Sequence, residues 1–350
     1  MTYKIMILGA SYGSLLGTKL ALAGHDVTLV CREKTAALIN AKGTEVRIKL
    51  RDEDSHRSFF SPFLKGKTNA VTPEQAQPQD YDLICLAMQE PQYSHPSLID
   101  LLYRISQAKV ACMSIMNMPP LPYLKRIASL DCSNLTEAFL NPSIWNDFDP
   151  NLMTLCSPDP QAYRPADQAP NVLHVGLPTN FKVSRFEDPN LNEMLETLSA
   201  DIDAVRVEGK EVPVKLRVYG SLFVPFAKWA MLATGNYRCI TATGARSIQS
   251  AVHSDITASE RIYNFVNTLV VKLGADPDDL VPFSKYSAAA EGLKNPSSAA
   301  RAVFSGEVHI ERVDKLIQLT AEALDMQNDE ILQIVSTVDE QLTTQIKRPA

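Results

Sequence analysis

The chain opens on Lys4-Ile5-Met6-Ile7-Leu8-Gly9-Ala10-Ser11-Tyr12-Gly13-Ser14, and this stretch constrains its fold more than any other. An apolar run with two isoleucines enters a tight turn of small residues, and Leu15, Leu16, Leu20 and Ala21 continue at helical spacing until Gly24 stops them. His25-Asp26-Val27-Thr28-Leu29-Val30 reads as a second buried strand. Strand, helix and strand complete a βαβ unit within the roughly 30 residues such a unit needs. In that geometry the unpaired N–H groups and the positive dipole end of the first helix face an anion, most often a dinucleotide pyrophosphate. Gly9, Ala10, Ser11, Tyr12, Gly13 and Ser14 are therefore candidate cofactor contacts.

The turn departs from the full G-x-G-x-x-G fingerprint: Ser11 stands where a glycine is usual, and the loop is a residue short. Gly9-Ala10-Ser11-Tyr12-Gly13 also fits G-x-S-x-G, the elbow that presents a nucleophilic serine in α/β-hydrolases. The nucleotide reading is preferred, because that elbow normally follows several strands rather than the first. A phosphate loop that has lost its ligand is the blander alternative. At the end of the second strand an acidic residue would hold the ribose hydroxyls of NAD, and an arginine the 2′-phosphate of NADP. Arg32 points to NADP, with Glu33 beside it keeping NAD open.

Composition excludes several classes. A net charge of -6, with no long basic run, argues against a nucleic-acid surface. No apolar run reaches the ~20 residues of a membrane span, and no signal core is visible, so a cytoplasmic location without membrane partners is expected. The six cysteines show no C-x-x-C pair and read as small core residues, and the six histidines show no metal spacing, so no metal is expected.

Further along, Cys31-Arg32-Glu33-Lys34 is followed by a short helix through Ala36, Ala37, Leu38 and Ile39 that stops at Gly43, and 44–50 reads as a strand. Residues 51–67 read as a loop or small excursion. Asp82-Leu83-Ile84-Cys85-Leu86-Ala87 reads as a buried strand ending at the ligand rim of such sheets, 98–105 as a helix, and 110–116 as the next strand, ended by Asn117. Seven prolines between Asn141 and Pro178 predict loop-rich structure around one or two short strands such as 172–177. Helical periodicity dominates Phe226–Ala233, Glu260–Leu273, Val308–Leu324 and Asp329–Leu342. The expected division is a dinucleotide-binding domain over 1–208 and a helical domain for substrate and dimerisation over 209–350, with a homodimer left open.

Four stretches now carry a resemblance to the ketopantoate reductase family, NADPH-dependent enzymes that reduce a 2-oxo acid to a 2-hydroxy acid. Gly13-Ser14-Leu15-Leu16-Gly17 through Val30-Cys31-Arg32 resembles the family's first βαβ and its NADP-selecting arginine. Met116-Asn117 is similar to the asparagine beside the nicotinamide. Lys228, with Asn236 and Thr241-Ala242-Thr243-Gly244 following, resembles the helix with the proton-donating lysine and a substrate-binding asparagine. Pro296-Ser297-Ser298-Ala299-Ala300-Arg301 is similar to the serine motif that binds substrate. The resemblance implies a Rossmann-type α/β domain followed by an all-helical domain like the C-terminal one of 6-phosphogluconate dehydrogenase.

The chain departs from the family pattern in places. Ala87 occupies the position of a cofactor-contacting lysine, and Leu232 that of a second substrate asparagine. The family's glutamate falls among His309, Ile310 and Glu311, where helical spacing does not choose, and Glu311 is carried as a candidate substrate contact. A second register puts the lysine at Lys215, but it needs an insertion that Lys228 does not.

Hydride transfer to a carbonyl leaves negative charge on oxygen, where a positioned acid is worth ~10² to 10⁴-fold. Lys228, in the apolar setting Phe226-Ala227-Lys228-Trp229-Ala230, suits that role if burial lowers its pKa; otherwise it snorkels to solvent. Asn236 holds substrate or caps its helix, Ser297 and Ser298 bind substrate or start a helix, and Asn117 orients the nicotinamide or makes a turn. The expected activity is reduction of a small 2-oxo acid or related carbonyl in a cleft between domains. The alternatives are an opine-type, imine-reducing dehydrogenase with His309 as acid, and a non-catalytic NADP-binding sensor.

Overall fold

The computed structural model describes residues 1–347. It divides into two compact units. The first comprises Met1–Met88, Gln92–Met116 and Ile144–Gly220; the second comprises Gln89–Pro91, Asn117–Ser143 and the chain from Ser221 onward.

The first unit is built on β1 (Lys4–Leu8), α1 (Gly13–Ala23) and β2 (Asp26–Val30). Both strands are buried along almost their whole length, as parallel strands covered on two faces must be. α1 is buried from Gly13 to Ala21 and ends in left-handed Gly24, a helix stop that needs glycine's freedom at φ 100°. α2 (Glu33–Lys42) follows, then β3 (Glu45–Lys49), β4 (His56–Phe60), β5 (Thr68–Val71) and β6 (Leu83–Leu86). α3 (Pro96–Ala108) and β7 (Ala111–Ile115) come next, then α4 (Leu121–Leu124), a one-turn helix of the second unit. β8 (Met153–Ser157), β9 (Gln161–Tyr163), β10 (Val172–Leu177), β11 (Phe181–Ser184) and α5 (Pro189–Ala204) return to the first.

Eight strands form the main sheet, ordered 216–219, β11, β8, β7, β6, β1, β2, β5. β1 pairs in parallel with β2 on one side and β6 on the other, so the strand order reverses there, where open α/β sheets bind ligands at the carboxyl ends of the strands. β7 and β8 extend the parallel run, β11 joins antiparallel to β8, and Leu216–Tyr219 pairs in parallel with β11. A second sheet, ordered β4, β3, β10, β9, was not legible in the sequence. The 51–67 excursion contributes β4, which pairs antiparallel with β3. The proline-rich middle contributes β10, parallel to β3, and β9, antiparallel to β10.

The second unit is helical. Ile256–Leu273, Val313–Ala323 and Asp329–Ile346 are its longer helices, with shorter ones at Ile248–His253, Phe283–Ala290 and Ser298–Phe304. Two expected helices differ. The one expected from Val308 begins at Val313, because 307–312 is an irregular link. The one expected over Phe226–Ala233 is a single α turn, Ala227–Met231, that widens into a π turn at Leu232–Asn236. A Cβ at Gly235 would lie 2.0 Å from the Tyr286 hydroxyl, so only glycine lets the widened turn pass this ring. Among the described residues no helix is long and apolar enough to cross a membrane.

Candidate functional site

In the first unit the turn between β1 and α1 is shaped by close approach. Gly9 has φ 103°, and a Cβ there would meet Met88 Cγ at 2.7 Å and the Ala87 carbonyl oxygen at 2.9 Å. A Cβ on Gly13 would meet Ile7 Cγ2 at 2.6 Å. Both glycines are therefore required to seat the loop against the ends of β1 and β6. Ala87, nearly fully buried, donates its N–H to the Leu8 carbonyl at 3.0 Å and faces Gly13. The N–H of Gly9 goes to Val30, and the N–H and hydroxyl of Ser14 both go to the Ser11 carbonyl. Among the described residues the N–H groups of Ala10, Ser11, Tyr12 and Gly13 have no hydrogen-bond acceptor. Adjacent unpaired donors at a helix start form a concave anion cradle, so the loop fits a pyrophosphate although it is a residue short.

The nucleophile elbow does not fit. It needs a strained serine, and Ser11 is not among the non-glycine residues with positive φ, nor does its side chain bond a histidine. Arg32 stands at the end of β2 as the residue before α2, with extended backbone, and no carboxylate pairs with its guanidinium among the described residues. Lys215 lies in this unit, buried, and its Nζ pairs with Asp203 Oδ1 at 3.1 Å.

The second unit gathers a polar cluster. Half-buried Lys228, on the α turn, donates from Nζ to Asn117 Oδ1 at 3.4 Å. Asn117 Nδ2 in turn donates to Glu311 Oε2 at 3.5 Å. The Glu90 N–H reaches Glu311 Oε1 at 3.4 Å. These are long, weak bonds, beyond the usual N–H···O range. Below them the Tyr237 hydroxyl donates to the Glu311 carbonyl and accepts from the Val313 N–H at 3.0 Å, which pins the irregular link. That link, not a helix, is why helical spacing did not select Glu311 over its neighbours: Ile310 is buried apolar and His309 is exposed.

Burial dominates the electrostatics. Glu311, 8% exposed, has its carboxyl pushed up to about 7 by burial, against the Asn117 amide, the Glu90 N–H and the Lys228 charge, which all favour the ionised form. Glu90, 1% exposed and missed in the sequence, is likewise pushed up to about 7 by burial, with the Glu311 charge adding to it. The N–H groups of Leu140 and Asn141 oppose that rise. Two carboxyls that resist ionisation beside a lysine and an amide make a site able to hold or pass a proton near neutrality.

The serine motif is placed differently. Ser297 Oγ donates to the Asn236 carbonyl at 2.7 Å and accepts from the Ala300 N–H at 3.1 Å, capping the helix Ser298–Phe304. Ser298 opens that helix and is exposed. Asn236 ends the π turn half-buried, its backbone engaged by Ser297. Lys228, Asn117 and Glu311 are thus brought together, and Asn236, Ser297 and Ser298 form a neighbouring group.

Fold and site define a class: a Rossmann-type α/β domain followed by a helical domain with a lysine–amide–carboxyl cluster. Residues 5–112 match the family model described as ketopantoate reductase PanE/ApbA. No curated protein matches. Among solved structures, the chain is similar to 2-dehydropantoate 2-reductase from Methylococcus capsulatus, at 12% identity over 99% of this chain and 98% of that one, TM-score 0.71. It is similar to D-mandelate dehydrogenase in a ternary structure with NADH and anilino(oxo)acetate, at 12% identity over 98% and 99%, TM-score 0.65. It is also similar to a dimeric ketopantoate reductase from Staphylococcus aureus, at 11% identity over 98% and 99%, TM-score 0.60. Residues 5–112 thus resemble the ketopantoate reductase model, and the chain shares the fold of these solved structures over nearly its whole length.

Proposed function

We propose that the chain is an NADPH-dependent reductase of a small 2-oxo acid. The Lys228–Asn117–Glu311 cluster carries this reading, because it sets an ammonium beside a side-chain amide and a proton-retaining carboxyl. The cradle of Gly9 to Ser14 and Arg32 would hold the cofactor, which when bound supplies hydride. Lys228 protonates the oxygen of the substrate carbonyl as negative charge develops there, and Asn117 fixes the direction of its Nζ. Glu311, held through its backbone carbonyl by Tyr237, keeps a proton close to that lysine. Asn236 and Ser298 are the proposed substrate contacts; Ser297 positions Asn236 through its carbonyl. The named neighbours support the reading, one acting on ketopantoate and another crystallised with NADH and an oxo acid, and a dimeric neighbour supports a homodimer.

Fluorescence titration with NADPH and NADH tests the cofactor assignment. Tight NADPH binding is expected, weakened about 10-fold or more in Arg32→Ala by loss of charge-assisted hydrogen bonds, with NADH little changed. If the wild type binds neither nucleotide, the dehydrogenase reading fails and a relic scaffold takes its place.

A further inference from the structure

Tyr12, in the cofactor cradle, donates its hydroxyl to the Pro160 carbonyl at 2.7 Å, which ties the segment entering β9 to that loop. Within β9, alternate side chains take opposite faces. Tyr163 lies with its ring on His174, 5.2 Å between centroids, while Ala162 packs on the same hydrophobic core as Tyr12 and Cys31. Arg164 follows directly, half-buried, and its guanidinium interacts electrostatically with both Cys31 and Arg32, at the end of β2. The second sheet therefore delivers a second guanidinium to the place where the sequence puts the first.

Two like charges brought near each other, Arg164 half-buried and Arg32 exposed, repel unless an anion lies between them. None is supplied by the protein. Among the described residues neither Arg32 nor Arg164 has an ion pair or a side-chain hydrogen bond, whereas most arginines of this unit pair with carboxylates, Arg47 with Glu45 and Arg104 with Asp100 among them. Cys31, with which both interact, is no counter-ion, since burial pushes its thiol up to about 11 and leaves it protonated at neutral pH. Each planar guanidinium presents a fork that matches two oxygens of a phosphate.

We infer that Arg164 is the second arm of a two-arginine clamp with Arg32 that binds a phosphate monoester dianion, the 2′-phosphate of the adenosine ribose. The inference rests on the NADP reading and deepens it, because the end of β2 is where such folds place the adenosine ribose. The clamp joins the two sheets: Arg32 follows β2 of the first and Arg164 follows β9, the edge strand of the second. A chain lacking the second sheet's edge strand would have a single arginine there.

Isothermal titration with adenosine 2′,5′-bisphosphate and with 5′-AMP, which lacks the 2′-phosphate, tests this without turnover. The wild type is expected to prefer the bisphosphate. Arg164→Gln is expected to reduce that preference about 10-fold or more while leaving 5′-AMP affinity unchanged. Arg164→Lys, which keeps the charge and loses the fork, is expected to lose a smaller part, and it decides the matter if the glutamine variant does not fold. An unchanged preference in the folded variants would overturn the clamp, as would equal loss of both ligands. A wild type that binds 5′-AMP without preferring the bisphosphate would overturn the NADP assignment itself, and one that binds neither would overturn the cofactor reading beneath it.

Discussion

Replacing Glu311 by glutamine tests whether the cluster around Lys228 retains protons for the physical reason given. The ordinary glutamate value of 4.5 rises to about 7 in the folded chain, chiefly through burial. A shift of about 2.5 units corresponds to about 3 kcal/mol of differential stability between the protonation states. The folded value lies above the unfolded one. The folded state therefore binds more protons between 4.5 and about 7, and the stabilisation, complete below 4.5, is lost as pH rises through about 7. Glutamine keeps the shape but cannot ionise; its one amide oxygen can accept from the Asn117 amide or from the Glu90 N–H, which meet different carboxylate oxygens, but not from both. Urea denaturation followed by circular dichroism, at about pH 5 and about pH 8, should show the wild type losing stability relative to the variant, by about 3 kcal/mol at the upper pH. Glu90 should ease as well, because the Glu311 charge contributes to its rise. Wild-type and variant stabilities that run parallel across this window would refute the reasoning.

Lys19 offers a second pH signature with the opposite sign. It is fully buried in α1, its Nζ donates to the Val212 carbonyl at 2.9 Å, and burial lowers its pKa to about 7. The unfolded chain binds more protons between about 7 and 10.5, so thermal scans should show stability rising with pH across that window, a rise that Lys19→Met removes. Tyr237→Phe leaves the Glu311 carbonyl and the Val313 N–H without their side-chain partner, and should cost about 1–3 kcal/mol in denaturant titrations while also lowering activity through misplacement of Glu311.

The βαβ opening was legible because its signals are local: continuous apolar strands, a small-residue turn, and glycine at the helix stop. Lys228, Asn117 and Glu311 were legible as residues, but their meeting is tertiary, with Asn117 and Glu311 far apart in sequence. The second sheet stayed hidden because β3 finds its parallel partner β10 only after the whole first half of the main sheet, and β4 has no clean alternation, with Phe59 buried and Phe60 exposed. Glu90 reads as a surface residue beside a proline, and only packing against Leu140 and Glu311 buries it. The π turn left one trace in the sequence, Gly235, whose need is set by Tyr286, a residue distant along the chain.

The proposal that this is a lysine-assisted 2-oxo acid reductase is tested most directly by single-turnover oxidation of bound NADPH against a panel of branched and aryl 2-oxo acids, comparing wild type with Lys228→Ala. The account predicts that at least one acid oxidises the cofactor, and that the variant binds NADPH normally while hydride transfer slows about 10²-fold or more. Wild-type rates in the variant, or no oxidation by any 2-oxo acid with NADPH bound, would contradict it.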